Sequence, residues 1–199
     1  MENWLAFSAA AIALLFVPGP TNTLIATNGA LLGWRMASRF LPAEVTGYLV
    51  GITGWALGLA IASRYVHSAS SVAAIAASAA LLFSARKLWT WNAGRQTRVS
   101  SRARDVFVVT LSNPKALLFA LTIMPHLRQG DFFAALPYLL WLSLLILAMG
   151  FIWTMIGAGI AQRFQRFASS HLFARVGAAV LVFFATSLFV TTLLRAFEL

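Results

Sequence analysis

Val17-Pro18-Gly19-Pro20-Thr21-Asn22-Thr23 interrupts an apolar run over about residues 4–32, and Ser112-Asn113-Pro114-Lys115 interrupts another over about 106–127. Proline cannot donate the helical hydrogen bond, and its ring clashes with the preceding turn. Inside a bilayer no water satisfies the backbone groups that such a break frees. Each break therefore costs energy unless the gap lines a cavity or binds something. In both, a residue suited to capping precedes a proline, Gly19 before Pro20 and Asn113 before Pro114. Proline favours the first position of a helix, and Asn is a good N-cap. Both breaks thus read as helix starts within a span, with Thr21, Asn22 and Thr23 on the first turn of one half-helix and Lys115 on that of the other.

The composition places these runs in a membrane. Of 199 residues, 60% are apolar and 10% charged, and the mean hydropathy is +0.82; a soluble domain carries about 25% charged residues. The net charge of +10 is not read as a nucleic-acid surface, because most charges fall in short segments between apolar runs. With no cysteine, disulfides, thiolate metal sites and cysteine nucleophiles are excluded. The apolar run beginning at Trp4 lacks a basic leader and is read as a first span rather than a signal peptide.

A span takes about 20 apolar residues. Six candidates lie at about 4–32, 40–63, 70–91, 106–127, 133–161 and 172–194. The expected fold is an all-α integral membrane protein of six transmembrane helices, one transmembrane domain over 1–199. Eleven cations (Arg35, Arg39, Arg86, Lys87, Arg95, Arg98, Arg102, Arg104, Arg163, Arg166 and Arg175) fall on one side, and Arg64, Arg128 and Arg195 on the other. The positive-inside rule places the eleven in the cytoplasm and both termini outside. The densest group forms a basic cytoplasmic loop at about 92–104, explained by topology and anionic lipid alone. Three spans per half give the halves, about 1–95 and about 100–199, opposite orientations, a 3+3 inverted repeat with helices 1 and 4 broken. Broken helices at matching places in two repeats mark the substrate site of a secondary transporter. Gly47, Gly51, Gly54 and Gly58, with an alanine-rich third span, offer close-packing faces, within one protomer or across a homodimer.

Lys115 lies nine or ten residues into its span, roughly 15 Å deep. A lysine there costs about 2.5–3.5 kcal/mol on the insertion scale, so it faces the bundle interior and has a partner. It reads as a carboxylate-binding cation, with Asn22 and Asn113 as neutral donors to the same group, as a charge that alternates with a proton, or as a structural ion pair or snorkelling chain. Helix starts also attract anions. Glu44 is the one carboxylate well inside an apolar run; it reads as a proton-exchanging group, a site for an ammonium, or a residue reaching the interface. Trp55, Trp141 and Trp153 lie deeper than the other tryptophans and read as pore-lining or packing residues. His67, His126 and His171 have no metal-site spacing. No metal site, cofactor motif, phosphate loop or hydrolytic constellation is recognised, which argues against an enzyme.

The stretch from Val17 to Leu24, and Ser112-Asn113-Pro114-Lys115-Ala116-Leu117-Leu118-Phe119 followed by Met124-Pro125, resemble the two signatures of the lysine exporter (LysE/RhtB) family. Gly33-Trp34-Arg35 suits the same pattern. The resemblance implies export of amino acids or related small metabolites, proton coupling and a bacterial inner membrane. The substrate-binding set it suggests is Pro18, Gly19, Pro20, Thr21, Asn22, Thr23, Asn113, Pro114 and Lys115. Glu44 departs from the family pattern, which is small and apolar there, so its candidacy for proton coupling rests on burial alone. The partners expected are an amino-acid-like substrate, protons and lipid. The alternatives are a channel, a non-transporting membrane subunit or, less readily, a membrane-embedded enzyme; trans-stimulated counterflow separates a carrier from a channel.

The charge bias makes a topological prediction. Reporter fusions at Leu199 and at Arg98 will report the periplasm and the cytoplasm respectively; a cytoplasmic C-terminus overturns the six-span inverted repeat.

Overall fold

The computed structural model describes residues 4–65, 69–90, 102–123, 132–163 and 170–197. The basic loop with Arg95 and Arg98, His67, His126, the Met124-Pro125 pair, Arg128 and Arg166 lie outside the described residues. Every element among the described residues is helical. In chain order they are α1 (Trp4–Phe16), α2 (Pro20–Leu32), α3 (Trp34–Ala37), a 3-10 turn (Ser38–Phe40), α4 (Leu41–Tyr65) and α5 (Ala69–Trp89). There follow α6 (Ala103–Leu111), α7 (Pro114–Leu118), a π-helical turn (Phe119–Ile123), α8 (Phe132–Arg163) and α9 (Ser170–Phe197).

Two stretches, Trp34–Ala62 and Phe133–Gly159, are long and apolar enough to cross a membrane. The pair α1 and α2, bent by 63° at the Pro18–Pro20 region, makes a third when taken as one broken span. Shorter apolar segments occupy Ala74–Phe83 and Ala185–Leu194. Gly33 makes the corner between α2 and the next stretch. Its φ of +75° suits a residue without a Cβ, and it serves both helices: its N–H bonds the Gly29 carbonyl and its carbonyl accepts from Ala37.

The helices pair α2 with α8, α4 with α6 and α5 with α9. Lipid tails are as apolar as leucine, so close van der Waals approach, not the hydrophobic effect, holds such pairs together. Glycine supplies that approach. A Cβ on Gly157 would overlap the Ala26 carbonyl, and one on Gly29 the Thr154 carbonyl, so α2 and α8 touch backbone to backbone. On α4, a Cβ at Gly47 would lie 2.9 Å from Thr110 Cβ and one at Gly51 3.0 Å from Ala116 Cβ. Half of the glycine face expected on the second span thus packs within the protomer, while Gly54 and Gly58 meet nothing within 4 Å. Trp55 and Trp141 are exposed on the outer surface, and of the three deeper tryptophans only Trp153 is buried. Trp141 is fixed there by an indole bond to Ser8 Oγ, 2.9 Å.

These contacts predict a contrast between two equal substitutions. Gly157→Ala will overpack the α2–α8 crossing, which costs about 1–3 kcal/mol, and will lower the thermal unfolding midpoint of the detergent-purified protein by several degrees. Gly54→Ala, facing open space, will leave it within about a degree.

Candidate functional site

The two breaks meet. At the first, α1 ends at Phe16 and α2 starts at Pro20, with Gly19 as an extended N-cap (φ −149°) that has no side-chain bond to offer. Pro18 and Pro20 have no N–H for the Leu14 and Phe16 carbonyls, and the break between α1 and α2 costs the Leu15 and Val17 carbonyls the donors that Gly19 and Thr21 would give in a continuous helix. Side chains replace them. Asn22 Nδ2 donates to the Leu15 carbonyl at 2.7 Å and to the Val17 carbonyl at 2.9 Å. The Lys115 ammonium, from the other break, also donates to the Val17 carbonyl. A cation at a helix C-terminus is favoured by the partial negative charge there.

At the second break Asn113 caps α7 as its sequence suggests: its Oδ1 accepts from the Lys115 backbone N–H at 3.1 Å, and Pro114 takes the first helical position. The other end of the same amide crosses the bundle. Asn113 Nδ2 donates to Thr21 Oγ1 at 2.9 Å and to the Tyr48 hydroxyl at 3.3 Å. One side chain thus ties α7, α2 and α4. Lys115, Thr21, Asn22, Asn113 and Tyr48 are all buried. Gly19 is what admits the lysine: a Cβ there would lie 3.2 Å from Lys115 Cε and 3.3 Å from Nζ. Beyond α7 the chain runs into the π-helical turn, whose Phe119 meets the Tyr48 ring edge to face at 6.2 Å.

Of the residues singled out in the sequence, Gly19, Thr21, Asn22, Asn113 and Lys115 come together. Pro18, Thr23 and Pro114 are half-buried at the margin, and Pro20 is exposed. Asn22 and Asn113 do not point free donors at a common anion in this conformation; their N–H groups are taken by carbonyls and hydroxyls, because the breaks themselves need them. Glu44 is buried one turn before Tyr48 on the same face of α4, and its carboxyl interacts electrostatically with Lys115 of the break. Its carboxyl packs against Gly150 of α8, and its Oε2 has no hydrogen-bond partner.

Sequence reading missed Tyr48, Asn28, Trp153 as a polar group, and Gly150. Tyr48 was discoverable, since it follows Glu44 by four residues and so shares its helix face. Asn28 is a fully buried amide on α2 whose Nδ2 and Oδ1 both lack partners; only tertiary packing distinguishes it from an interfacial residue. Among the described residues no group of three metal-ligating side chains occurs.

Neither the curated proteins nor the solved structures give a significant match to this sequence. The family model of the LysE type translocator matches residues 12–192, a span that takes in both breaks, Glu44 and Tyr48. The chain therefore belongs to the LysE type translocator family, a family of membrane translocators.

Proposed function

We propose that the chain is a proton-coupled secondary exporter of amino acids or related small metabolites, a six-span inverted repeat that works by alternating access. The observation that carries this reading is the meeting of the two broken helices around one buried cation, Lys115. A non-transporting subunit has no need of polar, broken backbone from both halves in one place.

The pairing of helices supports the repeat. If spans one, two and three correspond to four, five and six, exchanging the halves turns the first–fifth pair into the fourth–second pair and returns the third–sixth pair to itself. Those are the pairs α2–α8, α4–α6 and α5–α9. The tight crossings at Gly29 with Gly157 and at Gly47 with Thr110 fall on the side that carries Arg35, Arg39, Arg102 and Arg104, the cytoplasmic side on this reading. A carrier closed on that side packs there and loosens on the other in its alternate state.

In this scheme the Lys115 ammonium is held by the Val17 carbonyl until a substrate carboxylate replaces it. A charge-assisted bond is roughly twice as strong as a neutral one, so the exchange favours the anion, while Asn22 keeps the Val17 carbonyl satisfied. Glu44 carries the proton.

Two predictions test the assignment. Lys115→Met keeps most of the apolar stem, and the protein will insert and fold, but substrate affinity will fall at least tenfold, about 1.4 kcal/mol, measured by ligand-induced thermal shift. Normal affinity in a folded Met variant reduces Lys115 to a cap on α1. Glu44→Gln keeps an acceptor oxygen and will retain exchange at saturating substrate in proteoliposomes, while losing export driven by an imposed pH gradient. An undiminished response to the gradient removes Glu44 from proton coupling.

A further inference from the structure

The polar side chains at the breaks have hydrogen-bond partners, yet unpartnered atoms gather about one turn of α8. Among the described residues, four buried side-chain atoms have no partner: Asn28 Nδ2, Asn28 Oδ1, Glu44 Oε2 and Trp153 Nε1. Buried polar atoms in native proteins are nearly always bonded, and each exception calls for a reason. These four are not scattered. Ile25, Leu41 and Trp153 belong to one packed cluster; Asn28 is one turn from Ile25, and Glu44 is one turn from Leu41. The Glu44 carboxyl lies on Gly150, one turn before Trp153, and Gly29, next to Asn28, touches Thr154, next to Trp153.

The four atoms are two donors and two acceptors. An ammonium alone would leave both donors unmet, and a carboxylate alone would leave both acceptors. We propose that Asn28, Glu44 and Trp153 form a loading site for the zwitterionic head group of an α-amino acid. Its ammonium donates to Glu44 Oε2 and Asn28 Oδ1, and its carboxylate accepts from Asn28 Nδ2 and Trp153 Nε1–H. The site rests on the exporter reading and adds a station to it. Asn28 is six residues beyond Asn22 on α2, about 9 Å along the helix, towards the side with the basic segments. The head group binds there first and then passes to Lys115 at the breaks. In the conformation described, the Glu44 carboxyl packs on Gly150, so the site opens when α8 parts from α4 at that glycine.

The test uses the full chain in detergent, titrated with each of the twenty common amino acids and read by thermal shift. The amine and the carboxylic acid obtained by deleting one charged group from the best binder serve as matched probes. Asn28→Leu and Trp153→Phe remove orphaned atoms with little change of shape, and replacing an unsatisfied buried group in this way is close to neutral or stabilising. The expected result is an unliganded midpoint unchanged or raised in both variants, and the affinity that Lys115→Met keeps for the amino acid reduced at least a further tenfold when either variant is combined with it. Neither single-charge probe will shift the wild-type protein at the concentration where the amino acid does. Affinity equal to that of Lys115→Met in both combinations overturns the site, whose atoms then hold buried water only, and leaves the exporter standing. A lowered unliganded midpoint with affinity retained overturns it equally, as a structural role. Should Asn28→Leu fail to fold, Trp153→Phe decides alone. If no amino acid shifts the wild-type protein or undergoes counterflow in proteoliposomes, the loading site and the exporter reading both fall.

Discussion

The Val17 carbonyl is the point on which the bundle turns. The break between Phe16 and Pro20 deprives the end of α1 of backbone donors, and a span with unsatisfied carbonyls is untenable away from water. The remedy is not local. Asn22 reaches back from α2, and Lys115 reaches across from the opposite half of the chain. A lysine deep in a span and a carbonyl without its donor are each unfavourable alone; placed together they stabilise one another. The first broken helix is thereby held to the second, and Asn113, which caps α7 and bonds Thr21 and Tyr48, fixes the same junction from the other side. Gly19 follows from this arrangement, since a side chain there would displace the lysine stem.

What the sequence discloses and what it conceals divide along this line. Proline position, N-cap chemistry and hydropathy are local, so the breaks at Pro18–Pro20 and Asn113–Pro114, the start of α7 and the burial of Lys115 were all legible, while Glu44, one turn from a span end, read equally as a buried or an interfacial residue. The resemblance of the two motifs to one family was legible for the same reason, and the family match bears it out. The partners of the polar groups were not. Asn22 and Asn113 have the chemistry of substrate donors, but in the conformation described their N–H groups serve the Leu15 and Val17 carbonyls and the Thr21 and Tyr48 hydroxyls. The π-helical turn after α7 has no marker in Phe119–Ile123 that separates it from ordinary helix. The contrast between Trp153 and the exposed Trp55 and Trp141 depends on which face of each helix turns inward, and that is uncertain where nearly every residue is apolar.

Glycine distributes the rigidity. Where α2 crosses α8, backbone touches backbone through Gly29 and Gly157; where α4 meets α6 and α7, Gly47 and Gly51 allow the approach. These crossings surround the α2–α4–α8 interface at which Asn28, Glu44 and Trp153 are buried without partners. Tight packing around unsatisfied polar groups is an internal conflict: the shape complementarity favours closure, and the desolvated amide, carboxyl and indole oppose it.

That conflict is what an alternating carrier requires. A carrier whose closed state satisfied every group would lie in a well too deep to leave, and a ligand shifts an equilibrium only by its differential affinity for the two states. Each unmet polar atom raises the closed state by part of its desolvation cost, about 1–3 kcal/mol for an uncharged group. On the proposed reading, opening at Gly150 returns those atoms to water or to a ligand, which offsets the loss of glycine packing at the crossings. On the same reading the breaks stay well bonded because a junction that persists through both states has to be satisfied in each, whereas a site that opens is left wanting in one.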